Sequence, residues 1–361
     1  MSELHKFLFD GLPVRGAVVR LTDAWTEILA RRKANTGERA LHASLAPEGA
    51  HPPGGGPAAG GEWAAPVREL LGEMAAAGVL MQANIKFNGA LVLQIFGDGP
   101  VKIAVAEVQH DLSLRATAKV VGEVPPDARL AQLVNVGNKG RCAITLDPKD
   151  KFPGQQPYQG VVPLHGDQRE KIHKLSEVLE HYMLQSEQLD TTLVLAADDK
   201  VAAGLLIQRL PVQGEGNLKN WGQTPNSDWQ AKLESDPNFS NEDEIGLNED
   251  YNRISILAAS LKREELLELD VDTILTRLFW EEKVLRFEPQ VPRFACTCSR
   301  ERVANMIRSL GRDEAEDIVA ERGEIEVGCD FCGKQYRFDA VDSARLFAPP
   351  GDQPPVTPTV Q

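Results

Sequence analysis

Four of the five cysteines in this 361-residue chain fall within 37 residues, as Cys296-X-Cys298 followed by Cys329-X-X-Cys332. Few patterns restrict local folding so tightly. Thiolates at such spacings supply the tetrahedral sulfur cage that zinc favours. No histidine follows His181, so the site is expected to be all-sulfur, with Cys296, Cys298, Cys329 and Cys332 as metal ligands. The blander alternative is four small buried residues that happen to cluster; the paired spacing favours the metal.

The residues between the pairs fit a compact module. Ser299 suits the N-cap of a helix with Val303, Met306, Ile307 and Leu310 facing inward, stopped by Gly311. A second short helix carries Ala315, Ile318 and Val319 and ends at Gly323. Strand-like segments around Ile325–Val327 and Tyr336–Phe338 flank the Cys-X-X-Cys turn. The unit runs to only ~55 residues, too few for a secure apolar core. Zinc held by four thiolates offsets that deficit, since its binding is worth roughly 10–16 kcal/mol in small zinc peptides and is folding energy. Oxidising the thiolates removes the ligands and that energy with them. Cys329 and Cys332 also have the spacing of redox pairs, so the cage can act as an oxidation sensor.

Upstream, the chain reads as a mixed body. Val67, Leu70, Leu71, Met74 and Met81 recur at helical spacing behind Pro66. Alternation at Leu91, Leu93, Ile95 and at Val101, Ile103, Val105, joined by Gly97-Asp98-Gly99, predicts a hairpin. Strands are also expected in "DLSLRATAKV", "RCAITL", "TTLVLA" and "VAAGLLIQ", with a helix carrying Ile172, Leu175, Val178, Leu179 and Tyr182 on one face. Hairpins with flanking helices imply an antiparallel sheet. Helical spacing returns at Tyr251, Ile254, Leu257, Leu261 and at Val271, Ile274, Leu275, Leu278, Phe279. These amphipathic faces need cover, expected from the N-terminal body and the cysteine module.

The predicted fold class is therefore α+β: an N-terminal antiparallel sheet with packed helices, a helical linker and a small C-terminal zinc domain with four cysteine ligands. The expected boundaries are 1–212, 213–290 and 291–348, with 349–361 a disordered tail. The Pro/Gly stretch 46–62 reads as a mobile insertion. Residues 234–250 hold seven acids and no Lys or Arg, as expected of an exposed connector.

At this point the chain resembles the 33 kDa chaperonin family of redox-regulated heat-shock holdases. "RFACTCSRERV" and "IEVGCDFCGKQYRFDAVD" resemble the family's zinc-switch signature, and "PYQGVVPL" and "YMLQSEQLDT" its N-terminal domain. The resemblance covers most of the chain; the 46–62 loop and much of 213–249 look like additions to the family core. It implies an ATP-independent chaperone, inactive while reduced and zinc-bound. Under oxidative and unfolding stress it would form the disulfides Cys296–Cys298 and Cys329–Cys332, dimerise and hold unfolded client proteins.

Other function classes fit less well. From Cys296 to Ala348 there are 8 basic and 11 acidic residues, and the whole chain carries a net charge of −14, the wrong sign for a nucleic-acid face. A disulfide oxidoreductase would place Cys-X-X-Cys in a βαβ context that is missing around Cys329. "FGDGP" reads as a turn rather than a phosphate loop. His165, His173 and His181 are expected at the surface or in packing, Glu187 as a hydrogen-bond partner, and Cys142 as a buried strand residue. No enzyme is predicted. The N-terminus lacks signal-peptide features and no apolar run reaches the ~18 residues of a membrane span, so a cytoplasmic protein is expected.

Overall fold

The computed structural model describes residues 1–45, 62–150, 156–210 and 248–348, with the side chains of 35–45 left aside. The insertion expected at 46–62, apart from Glu62, lies outside the described residues, as do 213–247 of the connector and the tail. Among the described residues no helix is long and apolar enough to cross a membrane.

Two sheets enclose a central helix. The first sheet contains β1 (Glu3–Phe9), β2 (Val14–Leu21), β8 (Thr191–Ala197), β9 (Ala202–Arg209) and β10 (Val284–Arg286), in the order β10-β1-β2-β9-β8. The second contains β3 (Gly89–Phe96), β4 (Val101–Gln109), β5 (Ser113–Val120), β6 (Arg141–Pro148), β7 (Tyr158–Pro163) and β11 (Arg293–Phe294), in the order β11-β5-β4-β3-β6-β7. All pairings in both sheets are antiparallel except β11 on β5. The expected α+β fold with antiparallel sheet is present, but its strands divide between two sheets.

Helix α2 (Ala65–Asn84) lies in the main apolar cluster, between the sheets. A helix covered on both sides needs no polar stripe, which explains the run Ala75-Ala76-Ala77-Gly78-Val79-Leu80. Its small side chains let both sheets approach. Helix α1 (Asp23–Leu45) precedes it, and Trp25 of α1 is fully buried and donates its Nε1–H to Asp198 O at 2.8 Å. Helices α3 (Leu130–Val134) and α4 (Leu175–Glu187) complete the body. The expected face of α4 is buried at Leu175, Val178, Leu179 and Tyr182, while Ile172 lies before the helix begins. Tyr182 donates to Glu187 Oε1 at 2.8 Å, the structural role expected for that glutamate.

One group in α2 couples fold to pH. Burial first, and then the nearby Glu69, push the Glu73 carboxyl from 4.5 up to about 8, with Arg263 and Lys174 opposing. A raised carboxyl pKa means the folded state holds a proton that the unfolded chain has released. That contribution is intact below about pH 4.5 and is lost as pH rises through 8. Glu73→Gln is therefore expected to exceed wild type in unfolding free energy by roughly 2 kcal/mol at pH 9 and by under about 0.5 kcal/mol at pH 5, read by urea titration.

The outer face of the first sheet is covered by three short helices, α5 (Glu249–Ala259), α6 (Arg263–Glu268) and α7 (Val271–Phe279). Asn248 caps α5 by accepting from Tyr251 N at 2.7 Å, and Asp270 caps α7 by accepting from Thr273 N at 2.9 Å. Tyr251, Ile254, Ala258, Leu266, Ile274, Leu275, Leu278 and Phe279 pack on Phe7, Phe9, Val14, Val18, Leu205 and Ile207. The Phe7, Phe9 and Phe279 rings meet at centroid distances of 5.0–6.3 Å. Gly16 makes this possible: it faces Phe7 across the ladder, and a Cβ there would sit 2.2 Å from the ring. Arg20 Nη1 donates to Leu266 O and Leu269 O, at 2.9 and 2.7 Å, satisfying carbonyls at the end of α6.

The cover expected from the cysteine module is not found. This second apolar cluster includes no residue beyond Val284 among the described residues. Among the described residues the body supplies the surface, because the chain leaves it at β10 and runs to the other sheet.

Candidate metal centre

From β10 the chain straps the two sheets together. Phe287 N donates to Lys6 O, and Gln290 and Leu4 exchange backbone bonds at 2.9 and 2.8 Å. Three residues later β11 joins β5 of the second sheet, with Arg293 N on Leu112 O and Ala295 N on Leu114 O. Phe294 packs against the main core, with the Arg31 guanidinium 4.8 Å from its ring centroid. Cys296 follows directly.

The module beyond it contains α8 (Arg300–Leu310), α9 (Arg312–Arg322), β12 (Glu324–Gly328), β13 (Gln335–Asp339) and α10 (Ala340–Leu346). Ser299 caps α8 by accepting from Arg302 N at 3.1 Å. Gly311 ends α8 at φ 98°, a conformation side chains disfavour. The core is small: Ala304, Ile307, Ala315, Ile325, Tyr336 and Phe338 are buried. Ile307 faces inward as expected, but Met306 and Leu310 are about half exposed, at 45% and 51%. With one hairpin and two other short helices to pack against, α8 buries a narrower stripe than its apolar residues would fill.

All four sulfurs of Cys296, Cys298, Cys329 and Cys332 lie within 4.8 Å of one another. Cys296 and Cys329 are 3.6 Å apart, and Cys298 and Cys332 are 3.4 Å apart. A sulfur tetrahedron around zinc, with bonds of about 2.3 Å, has edges of about 3.8 Å. The donor set and spacing thus fit a tetrahedral ion of that size. All four thiols are half-buried and free of disulfides. The tight Cys-X-X-Cys turn is fixed by Cys329 N on Lys334 O and Gly333 N on Cys329 O. Cys329 pulls the Cys296 thiol down to about 4, with Arg115 adding to the effect, and the Cys329 thiol is pushed up in turn. The fifth cysteine, Cys142, is buried in β6 and its thiol is pushed up to about 12 by desolvation, the inert strand residue expected.

Several groups at the site escape a reading of spacing. The Tyr336 hydroxyl donates to Cys298 Sγ at 3.1 Å. From β5, Arg115 Nη1 reaches Cys296 Sγ at 3.6 Å, while Nη2 pairs with Glu107 at 2.6 Å. The same guanidinium stacks 4.2 Å over the ring of Phe331, between the second pair of cysteines. Of the histidines, His165 contacts Gly166 O and His181 lies 3.9 Å from Asp167, both remote in sequence and fold from the sulfurs.

Fold and site together define a class: a two-sheet body with a helical cover, strapped to a small module built round four converging thiols. A sequence model of the Hsp33 protein family matches residues 61–339. The chain is 41% identical to the 33 kDa chaperonin of Chromobacterium violaceum, covering 96% of this chain and 94% of that one. It is 37% identical to that of Methylobacillus flagellatus, at the same coverage of both. In structure it is similar to the heat shock protein 33 homolog of Thermotoga maritima, with a TM-score of 0.63 at 20% identity, over 95% of this chain and 97% of that one. This chain belongs to the Hsp33 family, and that membership supports a chaperone role.

Proposed function

We propose that the protein is a redox-regulated, ATP-independent holdase that catalyses no reaction. In the resting state Cys296, Cys298, Cys329 and Cys332 hold one zinc ion, which supplies the module's missing folding energy. Peroxide or a similar oxidant takes two electrons from each of two thiol pairs. Two S–S bonds form, as Cys296–Cys298 and Cys329–Cys332, the ion is released, and each peroxide takes two protons from solvent and leaves as two waters. No donor then remains for a metal, and a core of six buried residues cannot hold the module.

The observation that carries this reading is the placement of Cys296 at the end of the strap that leads out of α7. Loss of order at the cysteines frees β11, then the Gln290 bridge, then β10 on β1. The linker helices, deprived of their anchored C-terminal end, are too short to stand alone. Their departure uncovers Phe7, Phe9, Val14, Val18, Leu205 and Ile207 together with their own apolar faces, a surface suited to unfolded client proteins. Activation by homodimerisation, a cytoplasmic location, and no nucleic-acid or membrane partner belong to the same proposal.

The test pairs zinc release with suppression of client aggregation, with and without peroxide under mild unfolding stress. About one zinc per chain should be released as holding activity appears, with both disulfides found by peptide mapping. Full client binding by the reduced, zinc-loaded protein would contradict the reading.

A further inference from the structure

The C-terminal module touches β5 at three kinds of contact, all on one strand. Its edge carries β11, paired in parallel at Ser113 and Leu114. Its outward face carries Thr117, whose Oγ1 donates to Asp330 O at 3.0 Å, and Arg115. Leu114, Ala116 and Ala118, which alternate with these two, are buried in the core beneath. Asp330 and Phe331 form the tip of the Cys-X-X-Cys turn, so the turn is seated on β5 by side chains whose backbone the core holds rigid.

Arg115 contacts the sulfur site itself. Its side chain is only 12% exposed, one arm is held by Glu107, the other points at Cys296 Sγ, and its plane covers Phe331. Four thiolates around a divalent ion carry a net charge of −2, which attracts the guanidinium at short range. Two disulfides carry none, and removal of the ion frees the Cys-X-X-Cys turn that presents Phe331. The geometry therefore makes Arg115 sensitive to the state of a site in another part of the fold.

We propose that Arg115 is a latch that docks the cysteine module, and with it β11, on the second sheet only while the four-sulfur site is metal-loaded. This positioning role rests on the zinc-bound resting state proposed above and adds how that state reaches the body. Glu107 aims the guanidinium, Phe331 and Cys296 are its two partners, and the strap from β10 to β11 is what it holds down.

Hydrogen exchange of the full-length reduced chain tests this, at the Arg293 and Ala295 amides bonded to β5. In wild type, stripping zinc with a chelator under reducing conditions should speed exchange at both by about tenfold or more. Arg115→Gln should show the faster exchange while still holding one zinc per chain, and chelation should add little. Phe331→Ala, which leaves β5 untouched, should loosen the same amides with zinc bound and decides the matter if Arg115→Gln fails to fold. Unchanged protection in zinc-loaded Arg115→Gln or Phe331→Ala overturns the latch, as does wild-type protection that ignores zinc. Failure of the holdase reading is separable: there, β11 would loosen on zinc loss yet no client would be held.

Discussion

Cys332→Ser is expected to abolish tight zinc binding, to unfold residues 299–348 and to loosen β11 and β10, while the other strands of both large sheets stay intact. A hydroxyl is a poor donor to zinc beside three thiolates, so most of the roughly 10–16 kcal/mol that such a site contributes is withdrawn. The module's six buried residues cannot replace it, being fewer than a domain of that size needs. The sheets survive because their two apolar clusters share no residue with the module's core. A zinc-to-protein ratio near zero, with loss of exchange protection at Ile307, Ala315 and Ile325, is the expected result. Protection equal to wild type would show that the fold does not depend on the ion.

Phe279→Ala is expected to open the linker without any oxidant. Phe279 is 2% exposed and closes the aromatic group with Phe7 and Phe9, so truncation costs about 3–5 kcal/mol. The helices it steadies have 11, 6 and 9 residues and little stability of their own. A loss of that size rivals the whole local stability of such a unit. Amides of α5, α6 and α7 should exchange quickly while zinc stays bound, and the reduced protein should suppress aggregation constitutively. An opened linker that holds no client would place the client surface elsewhere.

The sequence is most legible where chemistry is local. Metal-ligand spacing needs only a few neighbouring residues, so Cys296, Cys298, Cys329 and Cys332 can be grouped before any fold is known. The Ser299 cap and the stops at Gly311 and Gly323 follow from local backbone preference in the same way. Hairpins that alternate, such as β3 with β4, announce themselves because one face is buried. Strand β2 does not: it lies inside the first sheet, buried on both faces, and loses the period that marks a strand. Nor does local pattern say that β8 and β9 join β1 and β2 rather than the strands just before them.

Arg115 is illegible for a related reason. An arginine alternating with Leu114 and Ala116 reads as the solvent side of an ordinary strand, and only the tertiary return of residues 293–331 gives it partners. The linker's cover is hidden in the same way: its apolar faces are visible, but not that β10 carries the chain away to the far sheet.

The helical cover starts from β9 and ends at β10, two strands of one sheet that lie on either side of β2 and β1. Oxidation that frees β10 unpins one root until the strap returns; while β10 stays paired with β1, as expected for Phe279→Ala, lifting the cover leaves a loop pinned at both roots. Such a loop explores only the neighbourhood of the face it left, and doubling its length would cost its return only about 0.6 kcal/mol. It therefore competes with any captured chain as an intramolecular rival of high effective concentration. On the proposed reading, resealing follows from the connectivity, and a guest is expected to be displaced by the protein's own segment once the strap holds again.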